Sequence, residues 1–460
     1  MGPMPTLHPL EDVDIHFPEG VYADVRLERT ADHRITLRDG SLDDVQAKVE
    51  TGALLRVLKD GRWYFSSTTD LERINETLAE LAASDALAPS AMPAGVEELE
   101  VIQESTWAFD DERIDEQSMA DKLDFLRAHA SGLECDSIRT WVARWIDQHR
   151  DRRFVSSRGS DVRHDYQECG FILSFSMVAG DQSLNERYSE ASHRFSDLRE
   201  AVAVHRADLQ SFIVKCERFV SGAVPVDPGL ATVILAPEVA GVFAHESFGH
   251  KSEADFMLGD PAMLDEWKIG TKVASDIVSI VDTGGVFGSG YMPYDDEGQR
   301  TGEAHLIKNG ELTGRLHSSM TAAALGEKPT ANARAISFRF EPIVRMTTTT
   351  IAAGDSSKAE LFSGVEDGFF IETVKHGSGM STFTIAPGLC WRIRNGEIAE
   401  PVRIAVMTGT VFDTLGEIDG LSDEVERPFM VGGGCGKMEQ WPLSVSFGGP
   451  YVRVRRMNLA

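Results

Sequence analysis

The chain has 460 residues, long enough for two or three domains that each bury a core, and its 42% hydrophobic and 26% charged residues are the proportions of a soluble globular protein. A formal net charge of -28 at pH 7 repels phosphate backbones and anionic lipid surfaces, which argues against nucleic acid and membranes as partners. No apolar run approaches the roughly 20 residues of a membrane span, the amino-terminal MGPMPTLHPLEDVDIHFPEG lacks the basic start and apolar core of a secretion signal, and five widely spaced cysteines fit free thiols in a reducing cytoplasm. Gly2 and Thr6 formally match an acylation pattern, but Pro3 stiffens it and no basic patch follows.

Ala23, Val25 and Leu27 alternate with Asp24, Arg26 and Glu28, and Ile35 and Leu37 carry the two-residue period to an Asp39-Gly40 turn. This predicts strands buried on one face. Residues 54–58 and 63–65 flank Asp60-Gly61, a pair that tolerates the positive φ of a tight hairpin, so the sheet begins antiparallel. Thr69-Asp70-Leu71-Glu72 reads as a capping box, with Leu71, Ile74, Leu78 and Leu81 at helical spacing towards Pro89. Past an acidic stretch from about 96 to 116, a helix is predicted over 117–130, strands between 138 and 178, and a second long helix over 196–220. Ser221, Gly222, Pro225, Asp227, Pro228 and Gly229 form the best linker. Residues 1–222 are therefore expected to form an N-terminal α/β domain with an antiparallel sheet and helices, and 223–460 a β-rich domain. Short glycine-punctuated strands are predicted there over 271–281, over 303–307 before an Asn309-Gly310 turn, around Ile393 before Asn395-Gly396, and over 402–407. The fold class is α+β, with no internal repeat.

Residues 231–236 form a short apolar strand, and Pro237-Glu238 then suits the first turn of a helix. The run HESFGH, residues 245–250, lies on or at the end of that helix. Histidines four apart sit about 40° apart around a helix and reach one metal, whereas His245 and His250, five apart, sit about 140° apart. For both rings to converge, the helix must widen into a π-type turn or end at Gly249. Neutral imidazoles suit zinc, and Glu246 is placed to take a proton from an attacking water.

A catalytic zinc usually has three protein ligands and one open position. The preferred third ligand is Cys435 in the run VGGGCGK, where glycines let the backbone approach closely and Lys437 would favour the thiolate. Glu253 and Asp255 are competing oxygen ligands, and His305, His317 and His376 rank below them. Histidines at this spacing also occur by chance, and a lone cysteine in a glycine loop is usually a packed thiol. Asp295-Asp296-Glu297-Gly298 lacks the spacing of a calcium loop and reads as a tight turn, and Gly285 to Gly290 lacks the Lys-Ser or Lys-Thr pair of a phosphate loop.

Taken in order, HESFGHKSEAD, YDDEGQRTGEAHLIKNGEL and GGGCGKMEQWPLSVSFGGP, together with YADVRLER near the start, resemble the TldD/PmbA metallopeptidase family, also described as modulators of DNA gyrase. The resemblance implies His245, His250 and Cys435 as zinc ligands and Glu246 as the catalytic acid/base. Retention of the HExxxH residues makes the chain similar to the metal-bearing TldD side rather than to the PmbA (TldE) side. It further implies an α+β fold whose β-rich C-terminal domain carries a metal-binding helix. It implies a dimer, either a homodimer or a heterodimer with a PmbA-like subunit, enclosing a cavity where unfolded or short peptides are cut, with Glu246 acting on a zinc-bound water. The alternatives are a non-hydrolytic peptide-binding or regulatory subunit, and a zinc amidase acting on a small peptide-derived metabolite. Residues 331–335 and 380–388 depart from the family pattern, which bears on the substrate-contacting surface.

Overall fold

The computed structural model describes residue 10, residues 12–84 and residues 94–460. The early two-residue periods form one seven-stranded sheet. Its strands are β1 (Tyr22–Arg38), β2 (Ser41–Lys59), β3 (Arg62–Thr68), β4 (Gln103–Thr106), β5 (Ile138–Ser156), β6 (Asp161–Ala179) and β7 (Gln182–Ser192). The order is β3-β2-β1-β5-β6-β4, with β7 also on β6, and only β4 runs parallel to its neighbour. Both predicted turns take the left-handed backbone that joins twisted strands tightly, with Asp39 and Asp60 at φ 45 and 52. Asp70 rather than Thr69 caps the following turn, accepting from the Glu72 amide, and the helix runs Ile74–Ala83. Its expected extension towards Pro89, like Gly2 and Thr6, lies outside the described residues.

Helices cover one face of the sheet. Met119–Ala130 starts at Ser118, whose hydroxyl accepts from the Asp121 amide. The expected single helix over 196–220 is two, Phe195–Glu200 and Val202–Gly222, broken at Ala201, which lets both Leu198 and Leu209 reach the core with Trp145 and Phe171.

The other face departs from expectation. Asp24, Arg26 and Glu28 do not face water but are at most 2% exposed. The 295–298 turn packs over them, bringing Asp296 to Arg26 at 3.1 Å and to Arg152 at 2.7 Å, and Glu297 to Arg56 at 3.7 Å. Alternation reports which side is apolar; a polar side closed by complementary charge reads the same as a wet one.

The second half is β-rich, as predicted. Strand Gly229–Leu235 lies inside a ten-stranded sheet, parallel to Asp367–Ile371 and antiparallel to Val452–Leu459. A five-stranded sheet centres on Ile280–Thr283, between Glu303–Lys308 and Thr348–Ile351. The Asn309-Gly310 and Asn395-Gly396 hairpins form. The expected strand over 271–281 is confined to Ile280–Thr283, because Val273 and Ala274 are held by a loop bond to the Gly310 carbonyl instead. The strand expected over 402–407 divides between Glu397–Arg403 and Met407–Thr410. The predicted linker is partly ordered into the sheet, since Val224 and Pro225 pair with Val402 and Arg403. All five cysteines are free. No helix among the described residues is long and apolar enough to cross a membrane.

Candidate metal centre

Strand Gly229–Leu235 delivers the chain to helix Pro237–Phe243, whose proline occupies the first turn, where no amide donor is required. The helix then widens into a π-turn over Ala244–Gly249 and tightens into a 3-10 turn over His250–Ser252. This is the irregularity that a five-residue histidine spacing demands. Gly249 serves it sterically rather than by a special backbone angle. Its conformation is ordinary right-handed helix, but a Cβ there would meet Met346 Sδ at 2.0 Å. The two imidazoles consequently face each other, ring centroids 5.1 Å apart, and His245 also lies against Phe447 at 5.8 Å.

Cys435 comes from a two-stranded ribbon, Cys435–Lys437 with Gln440–Leu443. Gly434 permits the close pairing, since a Cβ would meet the Leu443 carbonyl oxygen at 2.4 Å. Arg345, fully buried, donates to the carbonyl oxygens of Cys435 (2.7 Å) and Gln440 (3.3 Å) and so holds the ribbon in place. Sequence reasoning missed Arg345, which belongs to no motif and no periodic pattern. Cys435 Sγ stands 3.2 Å from His250 Nε2, and donor atoms of His245, His250 and Cys435 all lie within 4.8 Å of one another.

The donor chemistry fits a zinc ion. His245 Nδ1 is buried with no hydrogen-bond partner among the described residues. Burial pushes the Cys435 thiol up, but the charges and hydrogen bonds of His245 and His250 outweigh it and bring the thiol down to about 5, into the thiolate form that binds metal. His250 Nδ1 faces Glu253 Oε2 at 3.2 Å, the carboxylate support that metal-ligating histidines typically have. Glu246 is half-buried on the same π-turn, and burial raises its carboxyl above the ordinary value against the pull of His245 and His250.

The other candidates fall elsewhere. Glu253 stands behind His250 rather than beside it as a ligand, and Asp255 is engaged by Lys437 at 2.6 and 2.8 Å. Lys437 therefore does not serve Cys435 as expected. Its ammonium lies between Glu253 and Asp255 and donates to the Val344 carbonyl, because two carboxylates, one of them fully buried, attract it more strongly than one sulfur. His317 bonds Glu327 and Thr321, His305 lies near Glu303 at the surface, and His376 is exposed. His376 belongs to Val374–Gly379, the outermost strand of the ten-stranded sheet, which crosses the π-turn so closely that a Cβ at Gly377 would meet Glu246 Cγ at 3.0 Å.

Two imidazoles and a thiol converging beside a carboxylate on one helix, on a two-domain α+β fold, define the class: a candidate metallohydrolase. The chain belongs to the PmbA/TldD metallopeptidase family, as the resemblance of its three motifs implied. The model of the PmbA/TldA metallopeptidase C-terminal domain matches residues 228–460, and that of metallopeptidase domain 1 matches residues 23–88. A metalloprotease of Synechocystis is 31% identical, aligned over 94% of this chain and 93% of its own. A protein of Saccharolobus solfataricus named a zinc metalloprotease TldD homolog is 28% identical over 95% and 96%. Among solved structures, one described as a modulator of a DNA gyrase from Thermotoga maritima superposes with a TM-score of 0.74 at 21% identity, covering 96% of both chains. TldE from Thermococcus kodakarensis superposes at 0.73 with 15% identity, covering 95% and 96%. At these identities the two structures establish the fold alone.

Proposed function

We propose that the protein is a zinc-dependent peptidase of the TldD type that hydrolyses unfolded or short peptides, with His245, His250 and Cys435 as zinc ligands and Glu246 as the catalytic acid/base. The observation that carries this reading is the convergence of the three donor groups within 4.8 Å beside Glu246. Zinc in this site would supply a Lewis acid that polarises the peptide carbonyl and acidifies water. Glu246 takes the proton of the attacking water and returns it to the leaving amine nitrogen, and its raised carboxyl suits both directions of transfer. Substrate in extended form would add to the edge strand Val374–Gly379 through backbone hydrogen bonds, which give affinity with little sequence selectivity.

We place the protein in the cytoplasm, as a dimer with a second copy or with a PmbA-like chain, and we divide its two domains between residues 222 and 223. The test is a set of variants assayed for bound zinc and for cleavage of unfolded peptides. Glu246→Gln is expected to keep about one zinc per chain and lose activity by about 100-fold or more; His245→Ala and Cys435→Ala are expected to lose both. A fully active Glu246→Gln would sink the mechanism.

A further inference from the structure

A cavity of about 350 Å³ lies between the two domains, beside the metal centre rather than in it. Its floor is the polar face of β5 and β6, where Arg150 sits opposite Tyr166 in register and Glu168 lies two residues on. Its roof is the segment that carries Cys435. Gly432 and Gly433 precede the cysteine, Ser444 follows the ribbon, and Leu443 pairs with Cys435 itself. The roof is thus about 5 Å, one strand spacing, from the backbone of Cys435.

Most charge around this space is already engaged. Arg152 pairs with Glu28 and Asp296, Asp147 with Lys122, and Lys48 with Glu50. Arg334 donates to the Met346 and Ser444 carbonyls, and Asp32 accepts from Gln148. Arg150 differs. Its guanidinium lines the cavity, its Nε is shielded from solvent without a partner, and its side chain forms no hydrogen bond or ion pair among the described residues. Its charge acts at a distance on the buried Glu28 and on Glu168, but its donors bond neither, and a planar guanidinium with unused donors matches a carboxylate through two parallel bonds. Glu168, beside it, is held by the Tyr166 hydroxyl and by Ser444 Oγ at 3.4 Å. Burial lifts its carboxyl to about 7 despite the Tyr166 bond and the Arg150 charge, so near neutrality it can donate a hydrogen bond instead of repelling an anion.

We propose that this cavity receives the free C-terminal carboxylate of the peptide, bound by Arg150 and Glu168, so that cleavage falls at a fixed short distance from the substrate's C-terminus. The inference rests on the peptidase reading above. An acidic side chain offers the same carboxylate chemistry, so the test uses one unfolded peptide in three forms: C-terminal acid, C-terminal amide, and amide with an added penultimate glutamate.

With the zinc-loaded full chain, the acid is expected to show a KM lower than either amide by about tenfold or more. Acid peptides of different lengths are expected to be cut at a constant position counted from the C-terminus. Arg150→Gln is expected to raise the KM of the acid to that of the amide and to blur the cleavage register, and Arg150→Lys, which keeps charge but not the fork, to fall between. Equal KM for acid and amide, a preference restored by the glutamate, or an acid preference that survives in a folded Arg150→Gln would each overturn the proposal. If the loaded protein cuts no peptide, the peptidase reading fails separately. The carboxylate site is then decided by fluorescence-anisotropy binding of the acid and amide peptides, where equal affinity refutes it and an acid preference lost in Arg150→Gln sustains it.

Discussion

Replacing Glu253 by Gln asks whether the carboxylate behind His250 belongs to the metal centre or only to the fold. Glu253 is fully buried, with Oε2 3.2 Å from His250 Nδ1 and 3.1 Å from Lys437 Nζ. Burial opposes its charge, yet Lys437 and His250 hold it ionised below the ordinary carboxylate value. Glutamine keeps the shape and still accepts from the imidazole N–H, but removes the charge that orients the ring and makes Nε2 a better donor to metal. Outer carboxylates of this kind change metal affinity about 10- to 100-fold, which is about 1.4–2.8 kcal/mol. The lower end is expected, because Asp255 still neutralises Lys437 at 2.6 and 2.8 Å. Competition against a chromophoric chelator gives the zinc Kd, and the melting temperature of the metal-free protein controls for folding. A Kd within about twofold of wild type in a protein that melts normally would refute the reasoning. A lowered melting temperature with unchanged Kd would assign Glu253 to the fold alone.

Two further outcomes follow from packing and burial. Gly249→Ala drives a methyl into Met346 Sδ, which is fully buried and has little room to move; a loss of about 1–3 kcal/mol in urea unfolding is expected, with weakened zinc binding, and Met346→Ala in the same chain should recover much of both. His129, His164 and His193 are held by burial at about 4, about 3 and about 4, below the roughly 6.5 of an unfolded chain. As pH falls through 6.5 the unfolded state takes up protons that the folded state refuses, so their contribution is complete above about pH 7 and declines below it. At pH 5.5 the loss is about 1.2 kcal/mol for each histidine. Glu168 and Glu186, whose carboxyls burial raises to about 7, gain protons in the folded state over the same range and oppose it. The readout is therefore the urea midpoint of wild type against His193→Gln, and an identical pH dependence of the two between pH 7 and 5.5 would contradict the buried neutral state of His193. Between those two pH values wild type should lose about 1.2 kcal/mol more than His193→Gln, because the folded state uses both ring nitrogens of the neutral His193, on the Gln167 carbonyl and the Gly288 amide.

The parts of this fold that could be read from the chain are those whose cause is local. The Asp39-Gly40 and Asp60-Gly61 turns, the Asn309-Gly310 and Asn395-Gly396 hairpins, and Pro237 at a helix start each depend on backbone angles that a few residues decide. The π-turn was legible for the same reason, because His245 and His250 cannot meet on a regular helix. The burial of Asp24, Arg26 and Glu28, the break at Ala201 and the true role of Lys437 were not legible. Each depends on a partner far along the chain, such as Asp296 for Arg26, or on two partners whose competition has no sequence signature, as with Glu253 and Asp255 for Lys437.

The sequence by itself determined the elements, the family and the irregular helix that presents His245, Glu246 and His250, since these follow from short-range sterics and from ordered motifs. Only the tertiary structure decided that Cys435 stands 3.2 Å from a ring nitrogen 185 residues earlier in the chain, that Glu253 supports the ring instead of standing beside it as a ligand, and that Arg150 faces a cavity with its Nε unbonded among the described residues. Those outcomes depend on how two domains close over one another, and burial, which sets the strength of every charge in the site, exists only after they have closed.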